Sequence, residues 1–225
     1  MRRNVRGSII HHYNASKRCA LTEQYMYSIY RFGRMMGDDI RMDRYIRALK
    51  GAIRPGCSVI DLGTGTGIFA MLACRFGAER VYAIEIDDSI TVAEQSARAN
   101  GYANRIEFIH ADSREVTLPI RADVLISDLR GVLPFYREHI PTIVDARHRL
   151  LADSGTLIPA HDKIWAAIVE APDLYQRYTI PWGKNDFDLD LSAVNKLLVN
   201  SWVKGRVKKE QLLSNPVCCF DLDYY

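Results

Sequence analysis

No stretch of this 225-residue chain is apolar for long enough to cross a bilayer, and its opening, Met1-Arg2-Arg3-Asn4, leads into no signal-peptide core. A membrane protein is therefore not expected, and the cytoplasm is the expected compartment. The five cysteines are odd in number and lack metal-ligand spacing. Cys218 and Cys219 are adjacent and read as packed or incidental rather than as a redox pair. No metal site is expected, and His11, His12, His148 and His161 form no ligand pattern. A strong excess of one charge is also missing. The net charge of +3 makes the molecule as a whole a poor nucleic-acid binder. The basic residues that do cluster are Arg2, Arg3, Arg6, Lys17 and Arg18. They read as a solvated, partly disordered tail, with a substrate or nucleic-acid contact as the alternative. Internal repeats and low-complexity segments are absent. What remains is 48% apolar and 25% charged, enough for one full globular domain plus part of another.

The most informative segment is Val59-Ile60-Asp61-Leu62-Gly63-Thr64-Gly65-Thr66-Gly67. Apolar residues at 59, 60 and 62 read as the end of a buried parallel strand. Gly63, Gly65 and Gly67 make a turn that no side chain can crowd, and Ile68 to Cys74 is helix-forming. Strand, Gly-rich turn and helix form the entrance to a nucleotide-type site in a doubly wound sheet. Glu85 closes the next apolar stretch, Val81 to Ile84, about twenty residues beyond the glycines, where a ribose diol is held. A dinucleotide motif would place its third glycine one residue later. Asp61 also sits two residues before the first glycine, where a pyrophosphate would meet a carboxylate. A cation or ammonium group suits Asp61 better. S-adenosylmethionine carries an α-amino group and a sulfonium, and it is the expected cofactor, with S-adenosylhomocysteine as product. A dinucleotide ranks second.

Periodicity predicts helix over 22–53, from Tyr25, Ile29, Phe32, Met35, Met36, Ile40, Tyr45, Ile46 and Leu49. Arg54-Pro55-Gly56 breaks it. Strands are predicted at 58–62, 81–85, 106–110, 123–127 and 155–159, and helices at about 67–76, 89–100 and 136–150. This is a parallel α/β domain whose ligand belongs at the carboxyl ends of its strands. After Pro159, strands are predicted at 164–169 and 217–225. Only 66 residues follow Pro159. The sheet they begin would expose an unpaired edge unless a partner completes it or the chain is a truncated form of something longer.

From about Tyr25 onward the chain resembles the protein arginine methyltransferases, class I enzymes dependent on S-adenosylmethionine. Four stretches carry the resemblance: Met35-Met36-Gly37-Asp38-Asp39-Ile40-Arg41 with Tyr45; Val59 to Gly67; Ser127-Asp128-Leu129-Arg130-Gly131 with Glu138; and Asp145-Ala146-Arg147 to Pro159. Weaker similarity continues through Trp182, Phe187-Asp188 and Gln211-Leu212-Leu213. The resemblance implies a Rossmann-like doubly wound sheet with N-terminal lid helices and a partial C-terminal β-rich, barrel-like substrate domain. The implied segments are a tail (1–20), lid helices (21–54), a cofactor domain (55–159) and a partial barrel (160–225). A dimerisation-arm-like segment falls at about 172–200, so a homodimer is expected.

The resemblance also implies roles. Arg41 pairs with the cofactor's carboxylate through its fork. Asp61, Gly63, Thr64, Gly65 and Gly67 surround its methionine and ribose portion, Glu85 takes the ribose hydroxyls, and Asp112 and Ser113 lie where class I enzymes contact adenine. Asp128 and Glu138 are the candidate carboxylate pair for a substrate guanidinium. Departures are visible in the same loop. Asp128 stands where the family has glutamate, shorter by one methylene, about 1.5 Å of reach. Leu129 and Arg130 replace Trp and Met, Glu138 lies one position further along than the family's second glutamate, and the family's Thr-His-Trp loop has no counterpart. Arg130 would repel a guanidinium or else pair with Asp128. Tyr25 or Tyr30 could line a substrate channel, while Met35 and Met36 read as packing. The expected activity is methyl transfer to a protein arginine or similar nitrogen. The alternatives are a small-molecule N- or O-methyltransferase and a cofactor-binding pseudo-enzyme or regulatory subunit.

Overall fold

The computed structural model describes residues 29–131, 133–135, 138–183, 187–203 and 205–225. The basic tail and Tyr25 lie outside the described residues. The chain divides into two compact units: one runs to Ala160 and takes in Tyr224–Tyr225, and the other is His161–Asp223.

The first unit contains one parallel sheet of five strands, β1 (Ser58–Leu62), β2 (Arg80–Glu85), β3 (Ile106–His110), β4 (Ala122–Ser127) and β5 (Leu151–Ile158). Their spatial order is β3-β2-β1-β4-β5. The central strand β1 is buried along its whole length, as a parallel strand covered on both faces must be. Leu49, Val59, Ile60, Leu125 and Ile126 pack the core with essentially no exposure. β5 begins earlier than the sequence predicts. Leu151 already pairs with Ala122, and a register shift before Val124 meets Thr156 lets Ala152 to Gly155 bulge out.

Around the sheet lie α1 (Ile29–Met36), α2 (Asp39–Ala52), α3 (Ile68–Phe76), α4 (Ile90–Ala99) and α5 (His139–Arg149). The single helix predicted over 22–53 is two helices in its described part. Gly37 interrupts the first, and Asp38 caps the second by accepting from the Arg41 N–H at 3.2 Å. Strand order reverses between β1 and β4. The loops after β1 and after β4 therefore diverge around a crevice at their carboxyl ends, where ligands bind in open α/β sheets.

In the second unit, β6 (His161–Ala166) pairs antiparallel with β7 (Val217–Asp223), from His161 opposite Asp223 to Ala166 opposite Val217. β6 starts three residues before the predicted strand, and Val169 makes only an isolated bridge to Leu212. Between them run α6 (Pro172–Gly183) and the short α7 (Asn195–Leu198). The last two residues do not extend β7. Tyr224 is buried in the first unit, its N–H donates to the Ala160 carbonyl at 3.0 Å, and its ring meets His139 edge-on at 5.5 Å. The Leu157 N–H on β5 donates to the Tyr225 hydroxyl at 2.7 Å.

Candidate active site

The Gly-rich turn takes the shape its sequence requires. Gly63, Gly65 and Gly67 all have positive φ, at 71°, 53° and 82°, where residues with a Cβ are strained. Space is also short. A Cβ on Gly63 would strike Leu129, and one on Gly65 would strike the Phe32 ring. Asp61, expected to face an ammonium group, instead clamps the turn. One of its oxygens accepts from Thr64 Oγ1 at 2.7 Å and from the Ala70 N–H at 2.9 Å, tying strand to helix. The residue is 2% exposed and does not border the cavity beside it. Its position on the fully buried β1 explains the difference. Burial pushes its carboxyl up to about 6, against the opposing pull of those two bonds.

A cavity of about 300 Å³ opens at the crevice. Of the eleven site residues named from sequence, Arg41, Gly63, Thr64, Glu85, Asp112, Ser113, Asp128 and Glu138 line it. Gly65 and Gly67, like Asp61, shape the turn from behind.

Glu85 ends β2 with its carboxylate bound by the backbone. The Gly65 N–H donates to Oε2 at 2.8 Å, and the Ile86 and Asp87 N–H groups donate to Oε1 at 2.9 and 3.0 Å. Burial raises its carboxyl above the usual range, and these amides pull the other way. A carboxylate offers about four acceptor positions. Three are taken, two on Oε1 and one on Oε2, so one position is left on Oε2 for a ribose hydroxyl, and a second hydroxyl must share a position with an amide. Beyond β3, Asp112 accepts from the Arg114 N–H, Nε and Nη2 at 3.0, 3.1 and 2.8 Å. These bonds hold the Asp112 carboxyl below the usual range. Ser113 is buried beside it.

Across the cavity, Arg41 and Asp128 form an ion pair. Arg41 Nη1 also donates to the Met35 carbonyl at 3.2 Å. The other oxygen of Asp128 accepts from the Tyr45 hydroxyl at 2.9 Å. Tyr45 stacks on Phe69 with centroids 4.5 Å apart, and the Arg41 guanidinium lies over both rings at 5.1 and 5.6 Å. Glu138, at the N-cap of α5, leaves the helix uncapped and reaches Arg114 Nη1 at 3.3 Å. Its side chain is 67% exposed.

Sequence reasoning missed several walls. Phe32, Met35 and Met36 of α1, Leu129, His139 and Thr142 all line the cavity. The two methionines, read as packing, face the site instead. Tyr30 is 82% exposed and does not line it. The spacing of Phe32, Met35 and Met36 at one helical stripe carried the signal, but a stripe cannot tell a core from a ligand.

The lining suits S-adenosylmethionine. Glycines clear space beside the strand ends, the Glu85 carboxylate and the Arg41 guanidinium stand in the wall, and thioether and aromatic side chains supply an apolar lining. Residues 43–171 match the family model described as "Ribosomal protein L11 methyltransferase (PrmA)". Among curated relatives, the "Probable protein arginine N-methyltransferase 6" of Arabidopsis thaliana is 30% identical over 165 residues, 72% of this chain and 38% of that protein. The "Protein arginine N-methyltransferase 1" of Dictyostelium discoideum is 26% identical over 84% of this chain and 56% of that protein. The chain thus spans about two fifths to a little over half of their length. A Trypanosoma brucei PRMT1 enzyme-prozyme heterotetrameric complex with AdoHcy matches with a TM-score of 0.78 at 22% identity, over 89% of this chain and 63% of that one. Arabidopsis thaliana protein arginine methyltransferase 10 matches at 0.73 and 23%, over 90% and 64%. These two likenesses show the fold: a Rossmann-like α/β domain followed by antiparallel strands. The family model covers more than half of the chain, so this protein belongs to the methyltransferase family that the model describes and is protein arginine methyltransferase-like within the S-adenosylmethionine-dependent enzymes.

Proposed function

We propose that the chain binds S-adenosylmethionine in the crevice between the β1 and β4 loops and directs methyl transfer to a protein arginine. The observation that carries this reading is convergence: the Gly63 turn, Glu85 and Asp128, contributed by three different strands, line one cavity. Arg41 holds the cofactor's carboxylate, and Glu85 holds its ribose. When bound, the cofactor supplies an electrophilic sulfonium methyl group and a good leaving group. The protein's own work is positioning. Asp128 accepts from the N–H groups of the incoming guanidinium and turns one terminal nitrogen toward the methyl group. The guanidinium is permanently charged and weakly nucleophilic, so a carboxylate against it both binds it and biases its electron density. After transfer the product must release one proton. Glu138 lines the same cavity and is largely exposed, a position from which a proton passes to water.

The test is transfer of labelled methyl groups to an arginine-containing peptide, with Asp128→Asn as control. Wild type labels the peptide, and the variant loses at least a hundredfold in rate while keeping cofactor affinity. Full activity in the variant sinks the assignment of Asp128. Label found only in small molecules selects a biosynthetic methyltransferase instead.

We also propose a homodimer formed through 172–200. Tyr175, Ile180, Trp182 and Phe187 are exposed in that segment, and a structural relative is described as a heterotetrameric complex. Light scattering is expected to give twice the chain mass; a monomeric mass refutes the dimer.

A further inference from the structure

Asp128 is held from two sides by donors of different character. Arg41, on α2, grips one carboxylate oxygen with a charged guanidinium. Tyr45, one helical turn further along α2, donates its neutral hydroxyl to the other oxygen at 2.9 Å. The Tyr45 side chain is built for a fixed position: the residue is 6% exposed, and its ring lies on Phe69 of α3 with centroids 4.5 Å apart and planes 29° apart. A phenol fixes a carboxylate without cancelling its charge, whereas a second cation would leave nothing to attract a guanidinium. Arg41 has a second task in the reading above, because its fork must also serve the cofactor's carboxylate. The grip of Arg41 on Asp128 then becomes shared, while the Tyr45 hydroxyl stands on the other oxygen. Asp128 also has only one methylene between carboxylate and backbone, so fixing one oxygen fixes the plane of the group.

We propose that Tyr45 is the positioning residue for Asp128: its hydroxyl sets the orientation in which that carboxylate receives the acceptor nitrogen. This inference rests on the proposed role of Asp128 toward the acceptor. Tyr45 does not line the cavity and acts through Asp128.

The experiment compares wild type, Tyr45→Phe, Tyr45→Leu and Asp128→Asn in labelled methyl transfer to an arginine-containing peptide. Cofactor affinity is measured by calorimetry and thermal stability by scanning calorimetry. Tyr45→Phe keeps the ring on Phe69 and removes only the hydroxyl. It is expected to lower kcat over peptide KM by about tenfold or more, the scale of one hydrogen bond to a charged group. Cofactor Kd should stay within about twofold of wild type, because the ring under Arg41 remains. Tyr45→Leu removes the stack as well and is expected to weaken cofactor binding too. Wild-type kinetics in Tyr45→Phe overturn the inference. So does a Tyr45→Phe protein that fails to fold, or one whose turnover falls only in step with cofactor affinity; either outcome assigns the hydroxyl to the fold. Asp128→Asn separates the two claims. Full activity there defeats the reading of Asp128 itself, whereas an inactive Asp128→Asn beside an unaffected Tyr45→Phe defeats only the role of Tyr45.

Discussion

Asp61 is a buried carboxyl at the end of β1, 2% exposed. Its place near the glycines suggests a cation partner. The folded chain uses that acid to lock the turn, through Thr64 and Ala70. The consequence is a pH signature. The folded-state value of about 6 lies above the ordinary 3.8, so the native state binds this proton more tightly than the unfolded chain. Between pH 4 and pH 6 the contribution of Asp61 to stability therefore falls as pH rises, by on the order of 2–3 kcal/mol, and it is flat above. Asp61→Asn cannot titrate. Denaturant unfolding of both proteins at pH 4.5 and pH 7 is expected to show wild type gaining on the variant in acid; equal differences at the two pH values contradict the assignment. Glu85, by contrast, stands in the cavity wall as its spacing suggested. Its three amide donors were invisible in the sequence, because they come from turns on two different loops.

At the scale of elements, the sheet was legible and the helical lid was only partly so. β1, β2 and β4 are largely apolar runs, as strands of a parallel sheet covered on both faces must be, whereas the edge strand β3 is only partly buried. β5 starts at Leu151 rather than at the predicted 155, because a bulge absorbs Ala152 to Gly155 within a continuing strand. The lid was predicted as one helix because its apolar period runs through Gly37. The stop is a cap: Asp38 turns its side chain onto the Arg41 amide and restarts the helix. That cap also sets the first turn of α2, from which Arg41 reaches Asp128. Asp38→Ala is expected to cost about 1 kcal/mol of stability and to weaken cofactor binding through Arg41. Denaturation midpoints and a cofactor titration check both, and an unchanged midpoint would show that Gly37 alone makes the break. The carboxylate cluster was legible only as a set of candidates. Sequence spacing put Asp128 at a strand end but could not show that Arg41 and Tyr45, more than eighty residues earlier, close on its two oxygens.

For the whole molecule, the order β3-β2-β1-β4-β5 accounts for why residues so far apart in sequence share one cavity. The reversal between β1 and β4 opens the crevice, and each neighbouring strand delivers a loop to it. Tyr224 belongs to this unit although it follows β7, and nothing in its local sequence marks it as buried beside His139. Among the described residues, no helix is long and apolar enough to cross a membrane.

The roles of Arg41, Tyr45 and Asp128 depend on the crevice being a cofactor site. A calorimetric titration of S-adenosylmethionine into wild type and Glu85→Ala tests that dependence. One site per chain is expected in wild type and at least a tenfold weaker Kd in Glu85→Ala, with both proteins folded. No binding to folded wild type, or equal affinity in the two, would contradict it.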